Sequence, residues 1–157
     1  MDILLLCVGK TDVAWVKEGL DLYRSRLVHY APFQVVEIPQ LKKAGALSQE
    51  EIKRKEGELI LAKLRPQDRL VLLDEHGDQF RSVEFARWLG GKLQQGSGAL
   101  VFAVGGAYGF SPEVYSRAEG KIALSRMTFS HQMVRTIFVE QLYRAFTILS
   151  GEPYHNE

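Results

Sequence analysis

Cysteine is nearly absent from this sequence, and so are long apolar runs and an excess of either charge. The one cysteine, Cys7, excludes a disulfide framework within the chain, which is typical of a reducing compartment. The opening run MDILLLCV is too short to span a membrane and lacks the basic segment and cleavage site of a signal peptide, so we expect a cytoplasmic protein. A formal net charge of +1 argues against a strongly basic nucleic-acid arm and leaves room only for a local patch.

Short apolar runs recur along the chain, with longer helical patterns between them. The runs are residues 3–8, 33–38, 69–74 and 99–104, and a fifth, shorter run follows Gly120. Parallel strands that are covered on both faces are continuously apolar and alternate with helices. The order therefore predicts an α/β fold, with a mostly parallel sheet and helices on both faces. Because no linker or repeat interrupts the 157 residues, we expect one domain over residues 1–157.

Helix start and stop signals lie between these runs. They predict helices over residues 13–30, from 48 to the proline at 66, from 82 to 95, from 111 onward and over 133–149. Ser48, Ser82 and Ser111 are the expected N-caps. The last helix is apolar over so wide an arc that it needs two surfaces to bury against, and two interpretations stay open: a central core helix or a subunit interface.

The stretch VGGAYGFSPE, residues 104–113, places three glycines within five positions after the fourth apolar run. A dinucleotide site needs G-x-G-x-x-G after the first strand, so this spacing fits it poorly. Gly9 and Lys10 are placed as in a Walker A loop, but Leu4 stands where the earlier glycine is required. On spacing alone a tight strand-to-helix turn is favoured, while glycines at the carboxyl end of a strand also let backbone approach a ligand closely.

Other chemistry is excluded by spacing. The four histidines and Cys7 show no metal-ligand pattern, so no metal site is expected. There is no G-x-S-x-G motif for a serine hydrolase. The adjacent carboxylates of Asp74 and Glu75 are interpreted as the end of a strand.

Five segments, taken in order, carry a resemblance to a known family. They are LLD at 72–74, VGGAYG at 104–109, LSRMTFSHQMVR at 124–135, EQLYRA at 140–145 and PYH at 153–155. Over its whole length the chain resembles the RlmH-type ribosomal RNA methyltransferases of the SPOUT superfamily. The resemblance implies a C-terminal trefoil knot and a homodimer to which the last helix contributes. It also implies S-adenosylmethionine-dependent methylation of N3 of a pseudouridine in helix 69 of large-subunit (23S) rRNA, on the assembled ribosome.

The resemblance also implies a cofactor site. Its residues would be Leu73, Gly105, Gly106, Ser125, Arg126, Met127, Thr128, Phe129 and Ser130. These residue types suit adenine, which apolar walls and backbone hydrogen bonds can hold. They also suit a donor that carries a sulfonium cation and no phosphate, because such a donor needs no anion cradle.

The catalytic groups that the resemblance implies lie near the end of the chain. Tyr154 and His155 would act across the dimer into the partner's cofactor site and relieve the proton on the target nitrogen, while Arg135 and Arg144 would position RNA. His131 would be a structural or helix-capping group. Many members of the family carry a basic residue where this chain has Asn156.

Alternative functions and RNA contacts also follow from the sequence. A non-catalytic ribosome-associated binding or assembly factor would have the same fold, whereas a dinucleotide-dependent enzyme would need the missing fingerprint. We expect the basic pair Lys42 and Lys43 to contact rRNA, and the cluster at residues 53–55 to be a solvated helix face.

Overall fold

Five parallel strands form one sheet in the computed structural model, which describes residues 2–156; residues 1 and 157 of the expected domain lie outside the described residues. The strands are β1 (Ile3–Val8), β2 (Phe33–Ile38), β3 (Arg69–Gln79), β4 (Leu100–Val104) and β5 (Gly120–Ala123). Their order across the sheet is β2, β1, β4, β3, β5, and every pair is parallel. The parallel sheet expected from the apolar runs is confirmed.

Five α-helices alternate with the strands. They are α1 (Ala14–Leu27), α2 (Gln49–Ala62), α3 (Ser82–Leu93), α4 (Pro112–Arg117) and α5 (Met133–Leu149), with a short 3-10 turn at Ala44–Ala46. The bounds expected for α5 are confirmed, whereas α1 ends three residues earlier than expected. The hydroxyls of Ser48 and Ser111 accept hydrogen bonds from the backbone N–H groups three residues on, at 3.1 and 3.3 Å, so both caps are confirmed.

The cap expected of Ser82 is wrong. Arg81 precedes the first turn of α3, and its backbone N–H donates to the Glu84 carboxylate at 2.7 Å. The Ser82 hydroxyl donates instead to the Gln141 side chain on α5, at 3.2 Å. The reason is tertiary packing, because α5 brings the Gln141 side-chain oxygen next to Ser82, and the local sequence around Ser82 does not predict this contact.

The helices cover both faces of the sheet. Alternate residues of the strands point to opposite faces, so that Leu5 and Phe102 pack in one apolar cluster and Leu6 and Val101 in another. The first cluster includes side chains of α1, α3 and α5, and the second includes side chains of α2 and α4. Since the middle of α5 is buried against the rest of its own chain, the core interpretation of this helix is supported.

Strand β3 is longer than the apolar run that predicted it. It pairs with β5 up to Leu73 and again from Asp78, and the residues between form a bulge. Gly77 lies inside the bulge, where a Cβ would stand 2.6 Å from the backbone of β5. Only glycine fits this approach, so the bulge keeps Asp74 and Glu75 at the carboxyl edge of the sheet.

The chain leaves β1 and β4 toward opposite faces. These two strands are neighbours, yet β1 leads into α1 on one face and β4 leads into α4 on the other. In open α/β sheets, ligands bind at the carboxyl ends of strands beside such a switch of direction. None of the helices within residues 2–156 is long and apolar enough to cross a membrane.

Candidate functional site

A cavity of about 470 Å³ lies at the carboxyl ends of β3, β4 and β5. We call it the larger cavity, because it exceeds a neighbouring cavity of about 320 Å³ that shares the loop after β4. Its size is within the roughly 300–1,000 Å³ of small-molecule sites. Eight of the nine expected cofactor residues line it: Leu73, Gly105, Gly106, Ser125, Met127, Thr128, Phe129 and Ser130. The ninth, Arg126, is exposed and is not among the lining residues.

Two carboxylates in the larger cavity were interpreted from the sequence as a plain strand end. Asp74 and Glu75 both line it. Burial raises the pKa of Asp74, but hydrogen bonds from the Tyr115 hydroxyl and from His76 outweigh burial and hold this pKa below its usual value. Asp74 is therefore an anion near neutral pH. The signal that would have found both residues is their position at the carboxyl end of a parallel strand.

The charges of the lining side chains indicate which ligands suit this cavity. It contains two acidic side chains, and no lysine or arginine occurs among its described lining residues. Lysine and arginine side chains are common partners of phosphate groups, and a nucleotide phosphate finds no such partner among the described lining residues. A cation with an apolar body is the better match. Apolar walls for such a body come from Leu73, Ile122, Leu124, Met127 and Phe129.

Hydrogen bonds within residues 125–131, and from this segment to β3 and α5, hold this wall of the cavity in place. The Ser125 hydroxyl accepts from the backbone N–H of Met127 at 3.0 Å, and Thr128 donates its hydroxyl to Glu75. The Ser130 hydroxyl accepts from the N–H of Met133 at 3.0 Å and so caps the first turn of α5. Because Ser130 does the capping, His131 is left to line the cavity.

Gly105 and Gly106 line the larger cavity with their backbone, and a side chain added at either position would point into the protein. A Cβ on Gly105 would meet the ring of Phe110 at 3.2 Å, and a Cβ on Gly106 would meet the Glu56 carboxylate at 2.7 Å. Gly109 has φ +84 and closes a turn in which its N–H donates to the carbonyl of Gly106 at 3.2 Å. The turn expected from glycine spacing is present. What requires glycine at 105 and 106 is close packing on Phe110 and Glu56.

Arg135 has a position different from the one expected for an RNA contact. Its side chain is fully buried. Its guanidinium donates to the carbonyls of Val8 and Gly9, to the Thr11 hydroxyl and to the carbonyl of His131, at 2.8–3.0 Å. A guanidinium with no exposed surface has no face to offer to RNA. In this structure it joins the end of β1 to the start of α5.

Tyr154, His155 and Arg144 lie together at the other end of α5. The Arg144 guanidinium is 2.5 Å from the Glu140 carboxylate and 3.2 Å from the His155 ring nitrogen, and it lies over the Tyr154 ring at 4.8 Å. The Tyr154 hydroxyl also donates to Glu140 at 3.1 Å. We call these four residues the tail cluster. Its contacts hold the chain end against α5.

The tail cluster is remote from the larger cavity of its own chain. Val134 lines the cavity, and Arg144 lies ten positions further along the same continuous helix. At the rise of an α-helix this is about 15 Å. A ligand in the larger cavity is therefore out of reach of the tail of the same chain in this conformation.

No metal centre is found in the part of the chain that the structure describes. No group of three or more His, Cys, Asp or Glu side chains is arranged to hold an ion there. Cys7 is buried, and burial raises the pKa of its thiol to about 12. The thiol is therefore neutral and unreactive.

Comparisons with known proteins give the family model and the relatives that this chain matches. Residues 1–155 match the model of a family described as predicted SPOUT methyltransferase. The chain is 53% identical, over the full length of both proteins, to ribosomal RNA large subunit methyltransferase H of Parabacteroides distasonis. It is 52% identical to the protein of the same name from Christiangramia forsetii, with 99% of each chain covered. The protein of that name from Cytophaga hutchinsonii is 51% identical, over 99% of this chain and all of the relative.

Proposed function

The chain belongs to the SPOUT methyltransferase family, and from that premise we propose that it is an S-adenosylmethionine-dependent methyltransferase of large-subunit ribosomal RNA. The observation that carries the choice of donor is the larger cavity, with its apolar walls, its two carboxylates and its lack of basic lining residues. S-adenosylmethionine supplies a methyl group on a sulfonium cation. Leu73 and Met127 pack on the adenine, and Asp74 and Glu75 favour the positive charge.

The proposed target is N3 of a pseudouridine in helix 69 of 23S rRNA, methylated on the assembled ribosome in the cytoplasm. Its support is the family resemblance of the five quoted segments, and the names of the relatives support rRNA as the substrate class. A chain with net charge +1 has almost no excess of basic charge with which to bind RNA, so we expect the shape of the ribosome around the target to supply the specificity.

We propose that a homodimer forms the complete active site. About 15 Å of helix separates Arg144 from the larger cavity, so the tail cluster serves the cavity of the partner subunit. In this arrangement Arg144 binds RNA and His155 takes the proton that leaves the target nitrogen. Burial and hydrogen bonds to Tyr23 and Glu140 raise the pKa of Tyr154, so its phenol stays neutral. The role of this phenol is to position the RNA base. The trefoil knot of the family is proposed for the segment that includes residues 124–135.

Calorimetric titration tests the donor. We expect S-adenosylmethionine to bind and NAD and ATP not to bind, because the larger cavity lacks cationic groups for their phosphates. Leu73→Trp places a larger side chain in the cavity and should weaken S-adenosylmethionine binding about tenfold or more, which is roughly 1.4 kcal/mol. Leu73→Met keeps the volume and should stay within about twofold. ATP binding as tight as that of S-adenosylmethionine, or no binding of the latter, would reject the proposal.

Mass-spectrometric mapping of rRNA tests the substrate. Cells that lack the gene should lose one methyl group on a pseudouridine of large-subunit rRNA, and the purified protein should restore it on their ribosomes. A non-catalytic assembly factor predicts another outcome, in which the methylation map is unchanged and ribosomal particles accumulate incompletely assembled. That result would replace the enzymatic function by the assembly function.

A further inference from the structure

A second cavity of about 320 Å³ lies on the other side of the 106–108 loop from the larger cavity. We call it the side cavity. It is bounded by the end of β1, by residues 40–45 and by α2. It shares four lining residues with the larger cavity: Gly106, Ala107, Tyr108 and His131. Because β1 and β4 lead to opposite faces of the sheet, the side cavity occupies the switch of direction where α/β sheets bind ligands.

One oxygen of a carboxylate that lines the side cavity has no hydrogen-bond partner among the described residues. Glu56 is on α2, and its Oε1 atom is buried with no hydrogen-bond partner among the described residues. A buried acceptor left unsatisfied loses its hydration without a replacement bond, so native proteins seldom keep one without a reason. Gly106 leaves room for this carboxylate, since a Cβ there would stand 2.7 Å from Oε1. Burial also raises the pKa of Glu56. The arrangement calls for a ligand that donates an N–H.

The surroundings favour a nucleotide as that ligand. Residues 40–45 border the side cavity, and within them Lys42 and Lys43 are exposed, where they can meet an RNA phosphate. Tyr108 is 45% exposed on the shared wall, and an aromatic ring in that place can stack on an unpaired base. The cationic donor already has Asp74 and Glu75 in the larger cavity. The donor therefore does not need Glu56, and the Oε1 oxygen of Glu56 is available to accept a hydrogen bond from an RNA base.

We propose that the side cavity receives the target pseudouridine and that Glu56 accepts a hydrogen bond from its N1–H, which makes Glu56 the residue that selects pseudouridine over uridine. This inference rests on the proposed function. Methylation removes the proton from N3, so the N–H that persists through the reaction is N1–H. In uridine N1 carries the ribose and has no hydrogen. With uridine the buried acceptor would stay unpaired, and sites of this kind reject an analogue that lacks the donor.

The test compares methylation of ribosomes that carry pseudouridine or uridine at the target. The wild-type protein should prefer pseudouridine. Glu56→Leu removes the acceptor and should lower the pseudouridine-to-uridine rate ratio about 100-fold, because pseudouridine loses its hydrogen bond and uridine no longer leaves a buried acceptor unpaired. Glu56→Gln keeps a side-chain oxygen and should retain part of the preference. Glu58→Leu, two residues along the same helix and exposed, is the matched control and should leave the ratio unchanged.

Affinity for S-adenosylmethionine is measured for each variant and should stay within about twofold, because Glu56 does not line the larger cavity. Equal slowing on both kinds of ribosome would make Glu56 a structural residue and overturn the inference. Weaker S-adenosylmethionine binding in Glu56→Leu would assign the carboxylate to the donor and overturn it as well. A wild-type protein that methylates neither ribosome would overturn the proposed function, and this inference with it.

Discussion

Removal of residues 153–157 should abolish methyl transfer, with a rate at least about 1,000-fold below that of the full chain, while affinity for S-adenosylmethionine stays within about twofold. The physical reason is the separation of two sites. The tail cluster contacts α5 near Arg144, and the larger cavity lies beside Val134 at the start of that helix. Loss of the tail removes the proposed proton acceptor and leaves the donor's pocket untouched. Methyl transfer is measured on ribosomes and binding by calorimetry.

Point variants separate chemistry from packing. The Tyr154 ring packs on Tyr143 at a centroid distance of 4.8 Å, so truncation also exposes apolar surface. His155→Ala keeps this packing and should reproduce most of the loss. Tyr154→Phe keeps the ring and should lower the rate less than His155→Ala, because the phenol only positions the RNA base. Full turnover by the truncated chain would reject the catalytic role of the tail.

A mixing experiment tests whether the tail acts across a dimer. The truncated chain keeps its cavity but lacks the tail, and Leu73→Trp keeps its tail but binds S-adenosylmethionine weakly. At a donor concentration well below the Kd of Leu73→Trp, each variant alone should be nearly inactive and a mixed dimer has one complete site. Random pairing makes half of the dimers mixed, and the mixture should recover about a quarter of the wild-type rate. No recovery, with dimers present by light scattering, would place the tail in the active site of its own chain.

Arg135→Met should destabilise the protein by about 3–5 kcal/mol, measured by urea unfolding. The guanidinium supplies four hydrogen bonds to buried or part-buried acceptors, and its Nη1 atom lies 3.7 Å from the Glu37 carboxylate. Methionine fills much of the volume but donates nothing. The carbonyls of Val8 and Gly9 would then stay buried and unpaired, which costs far more than the net value of the bonds themselves.

Arg54→Met is the matched control for this prediction. Arg54 forms a solvent-exposed ion pair with Glu58 one turn along α2, at 2.9 Å, and such pairs contribute about 0.5 kcal/mol or less. Unchanged stability in Arg135→Met, together with weaker ribosome binding, would restore the role in RNA contact that the sequence suggested. A large loss of stability in Arg135→Met alone would establish this residue as the link between β1 and α5.

The local pattern of the chain was enough to locate the regular structure. The apolar runs mark the strands, and α5 has the expected bounds because its periodicity reports which side of a helix is apolar. Ser48 and Ser111 cap helices because their hydroxyls bond to backbone three residues away, which is a local interaction. The cofactor residues that the resemblance implies stay a prediction, and eight of the nine line one cavity.

Contacts between distant segments decided the rest. Asp74 and Glu75 belong to the candidate site because a bulge, enabled by Gly77, holds them at the edge of the sheet. Nothing near Arg135 in the sequence shows that its partners are carbonyls more than 120 residues away, at the end of β1. A guanidinium carries the same charge whether it binds RNA or the backbone of its own chain. Only the packing of α5 shows which of these two contacts Arg135 makes.

The sequence by itself determined the class of fold, the positions of the strands and helices, and the family with its implied chemistry, because these depend on composition, periodicity and ordered motifs within short windows. Only the tertiary structure decided the order of the strands, the buried place of Arg135 and the meeting of Glu56 with Gly106. Glu56 and Gly106 lie 50 residues apart and become neighbours because β1 and β4 pair in the sheet and α2 packs beneath the loop that follows β4. A contact between residues so far apart in the sequence cannot be predicted from local patterns, because it forms only when the chain folds.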